Sequence, residues 1–350
     1  MELSTLQTKI LNAPYNKIVV HSAAASGKTA LLTEKVRQIL RANINPREVV
    51  VITFTNMAAG ELKHRLGADY KEGLFIGTIH SLANQMLVRN GISTTEILEK
   101  EKFDKLFSLI KKNQQCIWPI EWLLLDEAQD SDDKQFEFMF DMIKPRCFFV
   151  VGDLRQCIYR WNGSNPRLLR NLSRQPDVHT FSMNENHRNG NNILVFAKGY
   201  LRRIRQSDDS IALRPGGQIQ QIPYSPKAIV KNIALNPNYK DWAILTRTND
   251  QISNIIPYLE NAHIPYATFK QGDLDREQLQ NIMNSDTVKL LTIHSAKGLE
   301  WPNVITVGVL ERNRNDEEFN VAYVAATRAR DNLIVMSIPD KEKKNEFSFE

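Results

Sequence analysis

The sequence has little of what stabilises secreted or membrane proteins. Its 350 residues include three cysteines, Cys116, Cys147 and Cys157, and no CxxC pair. An odd number of cysteines argues against a disulfide framework, so we expect a cytoplasmic protein with reduced thiols. The longest apolar runs, such as Cys147 to Val151 and Val304 to Leu310, are far shorter than the ~18–20 residues that cross a bilayer. The first residues show no basic segment followed by an apolar core, so neither a secretory signal nor a membrane partner is predicted.

The composition is that of a globular protein with about two domains. Hydrophobic residues make up 42% of the chain and charged residues 24%, which excludes a wholly disordered chain and a fibrous repeat. At roughly 150 residues per domain, the length suggests two domains. The net charge of +5 permits a polyanionic partner but does not establish one, because the placement of charges matters more than their sum.

Short β-branched runs alternate with longer amphipathic stretches along the chain. Continuous apolar strands separated by helices predict parallel sheets that are covered on both faces. The predicted strands are Lys17 to His21, Glu48 to Thr53, Leu74 to Ile79, Trp122 to Leu125, Cys147 to Val151, Val178 to Ser182, Trp242 to Thr246, Val288 to Ile293, Val304 to Val309 and Asn332 to Ser337.

The polar, proline-containing segment from Ser173 to Pro176 predicts the junction between two α/β domains. We therefore expect an N-terminal domain over 1–175 and a C-terminal domain over 176–339. Residues 82–120 are predicted to form a small helical insertion, with Phe103, Leu106, Phe107 and Ile110 as its buried stripe. The charged segment 340–350 is predicted to be a flexible tail.

A phosphate-binding loop is predicted from Ser22 to Thr29, because Gly27-Lys28-Thr29 follows a strand and opens a helix. In that context backbone N–H groups at the helix N-terminus cradle the phosphates. Lys28 would reach the β and γ phosphates, and the Thr29 hydroxyl would ligate Mg²⁺. Ser22 stands where such loops usually carry their first glycine.

A pair of carboxylates follows the apolar strand Leu123-Leu124-Leu125. Asp126 would hold Mg²⁺ and Glu127 would be the general base for the attacking water. A solvated acidic strand end explains the nearby Asp132 and Asp133, but not a pair directly after apolar positions in a chain with a phosphate loop. The two motifs together predict a nucleoside triphosphate hydrolase that uses Mg²⁺.

Ordered motifs along nearly the whole chain resemble those of the UvrD/Rep/PcrA group of superfamily 1A DNA helicases. These motifs are Leu3 to Gln7 (Q motif), Val51 to Ala59 (Ia), Gly77 to Ser81 (Ib), Asp126 to Asp130 (II), Gly152 to Tyr159 (III), Asn186 to Arg188 (IV), Leu291 to Glu300 (V) and Tyr323 to Ala329 (VI). The resemblance implies two RecA-like motor domains with ATP in the cleft between them. It also implies single-stranded or partly duplex DNA as the partner, and translocation from 3′ to 5′.

The resemblance further implies roles for matching residues. Gln156 would sense the γ-phosphate, and Arg188 and Arg328 would be arginine fingers. The positions implied for nucleotide binding are Gln7, Ser22, Ser26, Gly27, Lys28, Thr29, Ala30, His187 and Glu300. The implied DNA contacts are Phe54, Tyr159 and Trp161 as stacking rings, and Thr78, His80, Arg247, Thr292 and His294 along the phosphate or sugar track.

Two departures from the family pattern lead to further expectations. Ala30 and His187 occupy positions that usually sandwich the adenine, so we expect weaker, less adenine-selective nucleotide binding. The chain also has no room for the large insertions of full-size relatives, which grip duplex DNA. This compact form resembles the helicase subunit of Gabija-type phage-defence systems, so we expect a nuclease or other effector as partner.

Two alternatives remain open. The protein could be a nucleic-acid-sensing ATPase switch without processive unwinding, or a motor directed to RNA, since stacking and phosphate contacts do not distinguish the two polymers. A metabolic P-loop kinase is a poor third, because it would leave motifs Ia, Ib, III and V unexplained.

Overall fold

The computed structural model describes residues 3–270, 274–310 and 315–337. The predicted tail at 340–350 lies outside the described residues. The chain divides into two compact units, Met1–Met183 and Asn184–Glu350. None of the helices in the described ranges has the length and apolar character that a membrane crossing requires.

The first unit is built on a six-stranded parallel sheet with the strand order β3-β2-β4-β5-β1-β6. Its strands are β1 (Lys17–Ser22), β2 (Val49–Ile52), β3 (Phe75–Gly77), β4 (Trp122–Leu125), β5 (Cys147–Gly152) and β6 (His179–Met183). Its helices are α1 (Thr5–Leu11), α2 (Lys28–Arg41), α3 (Asn56–Leu66), α4 (Ile79–Arg89), α5 (Thr95–Glu99), α6 (Asp104–Lys112), α7 (Asp133–Phe136) and α8 (Pro166–Leu172), and a π-helical segment, Glu137–Met142, continues α7.

Both faces of this sheet are buried, as the continuous apolar strands predict. In β2, Val49 and Val51 pack with α1, α2 and α3, whereas Val50 and Ile52 pack with α4 and α6 on the opposite face. Because β4, β5 and β1 are neighbours, the segments that leave their carboxyl ends meet at one edge of the sheet. Those segments carry the phosphate loop, the Asp126–Glu127 pair and the residues after Gly152.

The second unit has its own six-stranded parallel sheet, ordered β11-β12-β10-β13-β14-β9, and a parallel pair of β7 and β8. Its strands are β7 (Glu185–Gly190), β8 (Ile211–Arg214), β9 (Gln218–Pro223), β10 (Trp242–Thr246), β11 (Tyr266–Ala267), β12 (Val288–Thr292), β13 (Trp301–Val307) and β14 (Ala329–Ser337). Its helices are α9 (Asn191–Arg203), α10 (Pro226–Leu235), α11 (Asn249–Asn261), α12 (Arg276–Asn284) and α13 (Asp316–Ala326). The predicted α/β class with parallel sheets is thus confirmed in both units.

Two details differ from the sequence-based expectations. The strand expected at Val178 to Ser182 does not open the second domain, because β6 pairs with β1 at the edge of the first sheet. The division therefore falls after Met183 and not after residue 175. In the insertion, Leu106, Phe107 and Ile110 are buried, but Phe103 is 37% exposed, because it precedes the first turn of α6.

Candidate nucleotide site and nucleic-acid surface

The phosphate loop is shaped by Gly27, which begins α2 with a left-handed backbone at φ +82°. A Cβ atom at this position would lie 2.5 Å from the side-chain nitrogen of Gln7. The left-handed backbone favours glycine, since other residues rarely adopt it, and a Cβ atom would also displace the end of the Gln7 side chain. The Ser26 hydroxyl in the same loop is buried and has no hydrogen-bond partner among the described residues. A bound phosphate would satisfy that hydroxyl, so the loop fits the predicted nucleotide.

Gln7 and Ser22 contact the loop itself. The Gln7 side chain accepts a hydrogen bond from the Ser4 amide at 2.9 Å and donates one to the Ser26 carbonyl at 3.0 Å. The Ser22 hydroxyl donates to the Gly152 carbonyl at 3.3 Å, which connects β1 to β5. In this state both side chains therefore position the loop, and their predicted nucleotide contacts stay predictions.

Lys28, Asp126 and Glu127 come together at the carboxyl edge of the sheet. Lys28 Nζ lies 3.0 Å from Glu127 Oε1, and Asp126 Oδ1 accepts a hydrogen bond from the Glu127 amide at 2.9 Å. Glu127 has φ +51°, a left-handed backbone that is uncommon for a residue with a side chain. Such positions cluster at functional sites, where the surrounding structure maintains them.

The donor set for Mg²⁺ consists of oxygen atoms. Asp126 is nearly buried at the end of β4, and Thr29 lies in the first turn of α2. A carboxylate, a hydroxyl and phosphate oxygens are the hard ligands that Mg²⁺ takes, so the residues fit the ion. Within the described ranges, no group of three or more His, Cys, Asp or Glu side chains forms a complete protein metal site.

Gln129 and Asp153 are buried polar residues to which the sequence assigned no role. Gln129 Nε2 donates to Glu127 Oε2 at 2.5 Å, and its Oε1 accepts from the Asp153 amide at 2.9 Å. The Asp153 carboxylate accepts from Gln156 Nε2 and from Arg155 Nε, both at 2.7 Å. The predicted γ-phosphate sensor Gln156 is therefore bonded to Asp153. Gln129 lies in motif II and Asp153 in motif III, and this was the one sequence feature that pointed to them. Membership of a motif does not reveal which groups a side chain bonds.

Three predicted stacking rings form a row on the first unit. Phe54 and Tyr159 are stacked with ring centroids 5.0 Å apart, and Trp161 lies 6.5 Å from Tyr159. Phe54 is 39% exposed and Trp161 is 68% exposed, so the row is open to solvent. Exposed aromatic faces in a row can stack successive bases without regard to sequence.

Thr78 and His80, which were expected on the phosphate track, also have structural partners. The Thr78 hydroxyl caps α4 by accepting from the Ser81 amide at 3.2 Å. The His80 ring packs against Phe103 and Phe107, with centroids 5.2 and 5.4 Å away. Burial there lowers the pKa of His80, and the nearby carboxylates of Asp132 and Asp104 oppose this shift. The uncharged His80 ring is thus favoured.

In the second unit, Arg188 and Arg328 are held by nearby groups. Arg188 forms a short ion pair with Glu300, and its Nη1 donates to the Thr327 carbonyl at 3.2 Å. Arg328 is buried and donates from Nε to the Val324 carbonyl at 3.0 Å and from Nη1 to the Leu299 carbonyl at 3.1 Å. His187 is exposed, with its Nε2 3.8 Å from a Glu185 oxygen.

Asn186 and Asn189 fix the segment that carries Arg188. Both are fully buried, and Asn186 Nδ2 donates to Asn189 Oδ1 at 2.8 Å. Asn189 Nδ2 donates to the carbonyls of Thr327 at 3.1 Å and Ala329 at 2.5 Å. The Asn189 side chain, directly after motif IV, is therefore bonded to the two backbone carbonyls of motif VI on either side of Arg328. The role of Asn189 is not evident from the sequence, because its bonding partners are about 140 residues away along the chain.

Arg247 does not lie open for a phosphate. Its guanidinium makes three bonds to the Glu318 carboxylate, the shortest at 2.6 Å, and the pKa of Arg247 is raised mainly by this bonding. The Thr292 hydroxyl donates to Ser295 Oγ at 3.0 Å, and His294 is half-buried in the turn after β12. The DNA contacts expected of these three residues remain predictions.

Comparison with known proteins gives matches over both units. The UvrD/REP helicase N-terminal domain matches residues 3–117 and 113–177, and the UvrD-like helicase C-terminal domain matches residues 181–284 and 272–339. The chain is 23% identical to a probable DNA helicase of Mycoplasma pneumoniae over 91% of its own length and 80% of that protein. It is 22% identical to the Gabija protein GajB of Bacillus cereus VD045 over 94% of each chain.

The ATP-dependent DNA helicase Rep of Escherichia coli K12 is 23% identical over 76% of this chain, which spans about half, 55%, of the length of Rep. The family matches cover both parallel-sheet units, so these units are RecA-like domains. The chain belongs to the UvrD-like helicase family, a family of ATP-hydrolysing DNA helicases.

Proposed function

We propose that this protein is an ATP-driven motor that moves along single-stranded DNA from 3′ to 5′. One observation supports the proposal most strongly. The residues of a phosphate site and an exposed row of aromatic rings belong to the same unit, and Gln156 and Tyr159 stand only three positions apart in the segment after β5. A movement of Gln156 at the phosphate site can therefore displace Tyr159 on the base-stacking surface through three residues of backbone.

The chain's own side chains account for the hydrolytic step. The α2 N-terminus, Lys28 and the Ser26 hydroxyl hold the phosphates, and Glu127 takes a proton from a water molecule. The water oxygen bonds to the γ-phosphorus as the bond to the bridging β–γ oxygen breaks, which releases phosphate and ADP. When bound by Thr29 and Asp126, Mg²⁺ supplies positive charge to the phosphate oxygens.

We further propose that Arg188 and Arg328 act on the charge that develops on the transferred phosphoryl group. Arginine in this role contributes ~10³–10⁵ to the rate. The bonds around Arg188, Asn189 and Arg328 support the proposal, since they orient the two guanidinium groups through one network. On nucleotide binding, Arg188 would exchange its present partner, the Glu300 carboxylate, for the oxygen atoms of the transferred phosphoryl group.

A protein partner is the second part of the proposal. Full-size relatives such as Rep are nearly twice as long, whereas GajB and this chain match over 94% of both lengths. We therefore propose a compact motor of the Gabija type that acts in phage defence with a nuclease and depends on that partner for processive unwinding. Processive unwinding of long duplexes by the isolated chain would contradict this dependence.

The direct test of the motor is ATP hydrolysis with single-stranded DNA, RNA, duplex DNA or no polymer, in the wild type and in Glu127→Gln. We expect strong stimulation by single-stranded DNA that the substitution abolishes. Equal stimulation by RNA would favour an RNA-directed motor. No stimulation by any polymer would overturn the motor in favour of a switch subunit that requires its partner.

A further inference from the structure

The amide of Gln129 lies between the carboxylate proposed as general base and the segment that holds Gln156. Gln129 belongs to the 3₁₀ turn Ala128–Asp130 that directly follows the Asp126–Glu127 pair, and its side chain is fully buried. It donates to Glu127 Oε2 at 2.5 Å and accepts from the Asp153 amide at 2.9 Å. One side chain thus touches both motif II and motif III.

The orientation of this amide is fixed by the chemistry of its partners. Carboxylates only accept hydrogen bonds, so the Gln129 nitrogen has to face Glu127 and also Asp130 Oδ2, which lies 3.5 Å away. A backbone N–H only donates, so the Gln129 oxygen has to face Asp153. Rotation of the amide by 180° would place like groups together at both ends and would leave buried polar groups without their hydrogen bonds, which is unfavourable.

The surrounding packing leaves the amide little freedom. A Cβ atom on Gly152 would lie 2.9 Å from Gln129 Oε1 and 2.6 Å from a Leu169 methyl carbon, so only glycine allows this close approach. The Cys157 thiol adds a contact of 4.0 Å to the Gln129 carbonyl oxygen. Buried, fully bonded amides of this kind hold the groups around them in one arrangement.

From Asp153 the same chain of bonds continues to Gln156. The Asp153 carboxylate accepts from the Gln156 side chain at 2.7 Å, and the Gln156 amide donates to the Asp153 carbonyl at 3.0 Å. Lys28, Glu127, Gln129, Asp153 and Gln156 therefore form a continuous series of hydrogen bonds and one ion pair. The next aromatic residue along the backbone is Tyr159.

We propose that Gln129 is a positioning residue that couples the placement of the Glu127 carboxylate to the motif III segment. The inference rests on the proposed motor function and adds one residue to it. When Lys28 binds nucleotide and leaves Glu127, the bond from Gln129 keeps the Glu127 carboxylate in place relative to Asp153. A shift of Glu127 would then be transmitted through Gln129 to the segment that carries Asp153, Gln156 and Tyr159. Gln129 acts through Glu127 and Asp153, to which its side chain is bonded.

Two substitutions test this role. Gln129→Met keeps the length of the side chain and removes both bonds, whereas Gln129→Glu retains the acceptor for the Asp153 amide and loses the donor to Glu127. The matched control is Gln135→Met, because Gln135 lies in the next helix and bonds only within the capping box of α7. A fluorescent ATP analogue counts the molecules that are folded and bind nucleotide.

We expect both Gln129 variants to lower the kcat of hydrolysis stimulated by single-stranded DNA by on the order of 10²-fold, the cost of misplacing a catalytic group by about 1 Å. The KM for ATP should stay within about threefold, since the Gln129 side chain is fully buried against Glu127 and Asp153. Gln135→Met should behave as the wild type.

Three results would overturn the role of Gln129. They are a kcat within about twofold of the wild type, a loss of nucleotide affinity that matches the loss of kcat, and an equal effect of Gln135→Met. Failure of the proposed function is distinguishable, because the wild type itself would then show no stimulation by single-stranded DNA.

Discussion

Lys28 and Glu127 form an ion pair in which Nζ lies 3.0 Å from Oε1. The two residues leave different strands, β1 and β4, which β5 separates in the sheet. Their contact places the proposed phosphate ligand beside the proposed general base before any nucleotide binds. Bound phosphate offers Lys28 a competing anion, and this exchange would free Glu127 to act on water.

Substitution of the two members of this pair should separate binding from chemistry. Glu127→Gln should lower kcat for ATP hydrolysis by roughly 10²–10⁴-fold, the usual contribution of a general base, and keep nucleotide affinity. Lys28→Ala should weaken nucleotide binding as well. Glu121→Gln is the matched control, because Glu121 directly precedes the amino end of the same strand. An equal loss of binding in both site variants would contradict the division of roles.

The row formed by Phe54, Tyr159 and Trp161 should bind single-stranded DNA by stacking. Trp161→Ala should cost about 1–3 kcal/mol of binding free energy, the usual value of one base–aromatic stack. Fluorescence anisotropy with a labelled oligonucleotide measures this loss. Tyr258→Ala is the control, since Tyr258 is 40% exposed on α11 of the second unit. Equal effects of the two substitutions would contradict the binding of DNA at this row of aromatic rings.

Gly27→Ala should damage the phosphate loop. The added Cβ would meet the Gln7 side chain at 2.5 Å, and φ +82° would cost an alanine about 1–2 kcal/mol. We expect weaker nucleotide binding and a lower melting temperature. Gly199→Ala supplies the contrast, because Gly199 lies inside α9 with open space around it and alanine there should stabilise by about 0.5–1 kcal/mol. Unchanged nucleotide affinity in Gly27→Ala would contradict the described loop.

Stability should fall as the pH decreases below the ordinary His80 pKa of 6.5. Burial lowers the pKa of His80 in the folded state, so over this range the unfolded chain binds a proton that the folded chain does not. Stability is therefore lost from about pH 6.5 down to the lowered pKa. Urea unfolding at pH 7.5 and pH 5.5 should show a smaller difference in His80→Gln than in His64→Gln, which alters an exposed histidine on α3. The same pH dependence in both variants would exclude His80 as the cause.

Ala30 and His187 should give this protein weak discrimination between ATP and GTP. Ala30 lies in the first turn of α2 and has no ring or guanidinium to cover a base. Ala30→Arg should raise the affinity for both ATP and GTP, because a guanidinium can stack on the face of either purine. Competition binding with the two nucleotides measures the ratio of the dissociation constants for ATP and GTP. Strict ATP preference in the wild type would contradict the prediction.

The sequence predicts the strands of the sheets and the phosphate-site motifs well, because each depends on a short run of neighbouring residues. Val49 to Ile52 is a continuous apolar run, and the structure buries both its faces. The phosphate loop and the Asp126–Glu127 pair are local motifs whose strand order then brings them together. The boundary at Met183 was not predictable in this way, since β6 belongs to the first sheet only through its pairing with β1.

Long-range polar partners are the part that the sequence does not reveal. Arg247 looks like a cation available for DNA, yet its three bonds are to Glu318, which is 71 residues away. The bonds from Gln129 to Asp153 and from Asn189 to Ala329 also join distant segments. The sequence does not show whether the amide of a Gln or Asn is buried or exposed, because this depends on which distant segments the fold brings together.

Directional movement on DNA tests the central claim most directly. An oligonucleotide carrying streptavidin on biotin at its 5′ end or its 3′ end reports which end a motor reaches. With ATP, we predict that the wild type displaces streptavidin from the 5′ end and not from the 3′ end, and that Glu127→Gln displaces neither. Displacement from the 3′ end alone, or none from either end despite DNA-stimulated ATP hydrolysis, would contradict the proposed 3′ to 5′ motor.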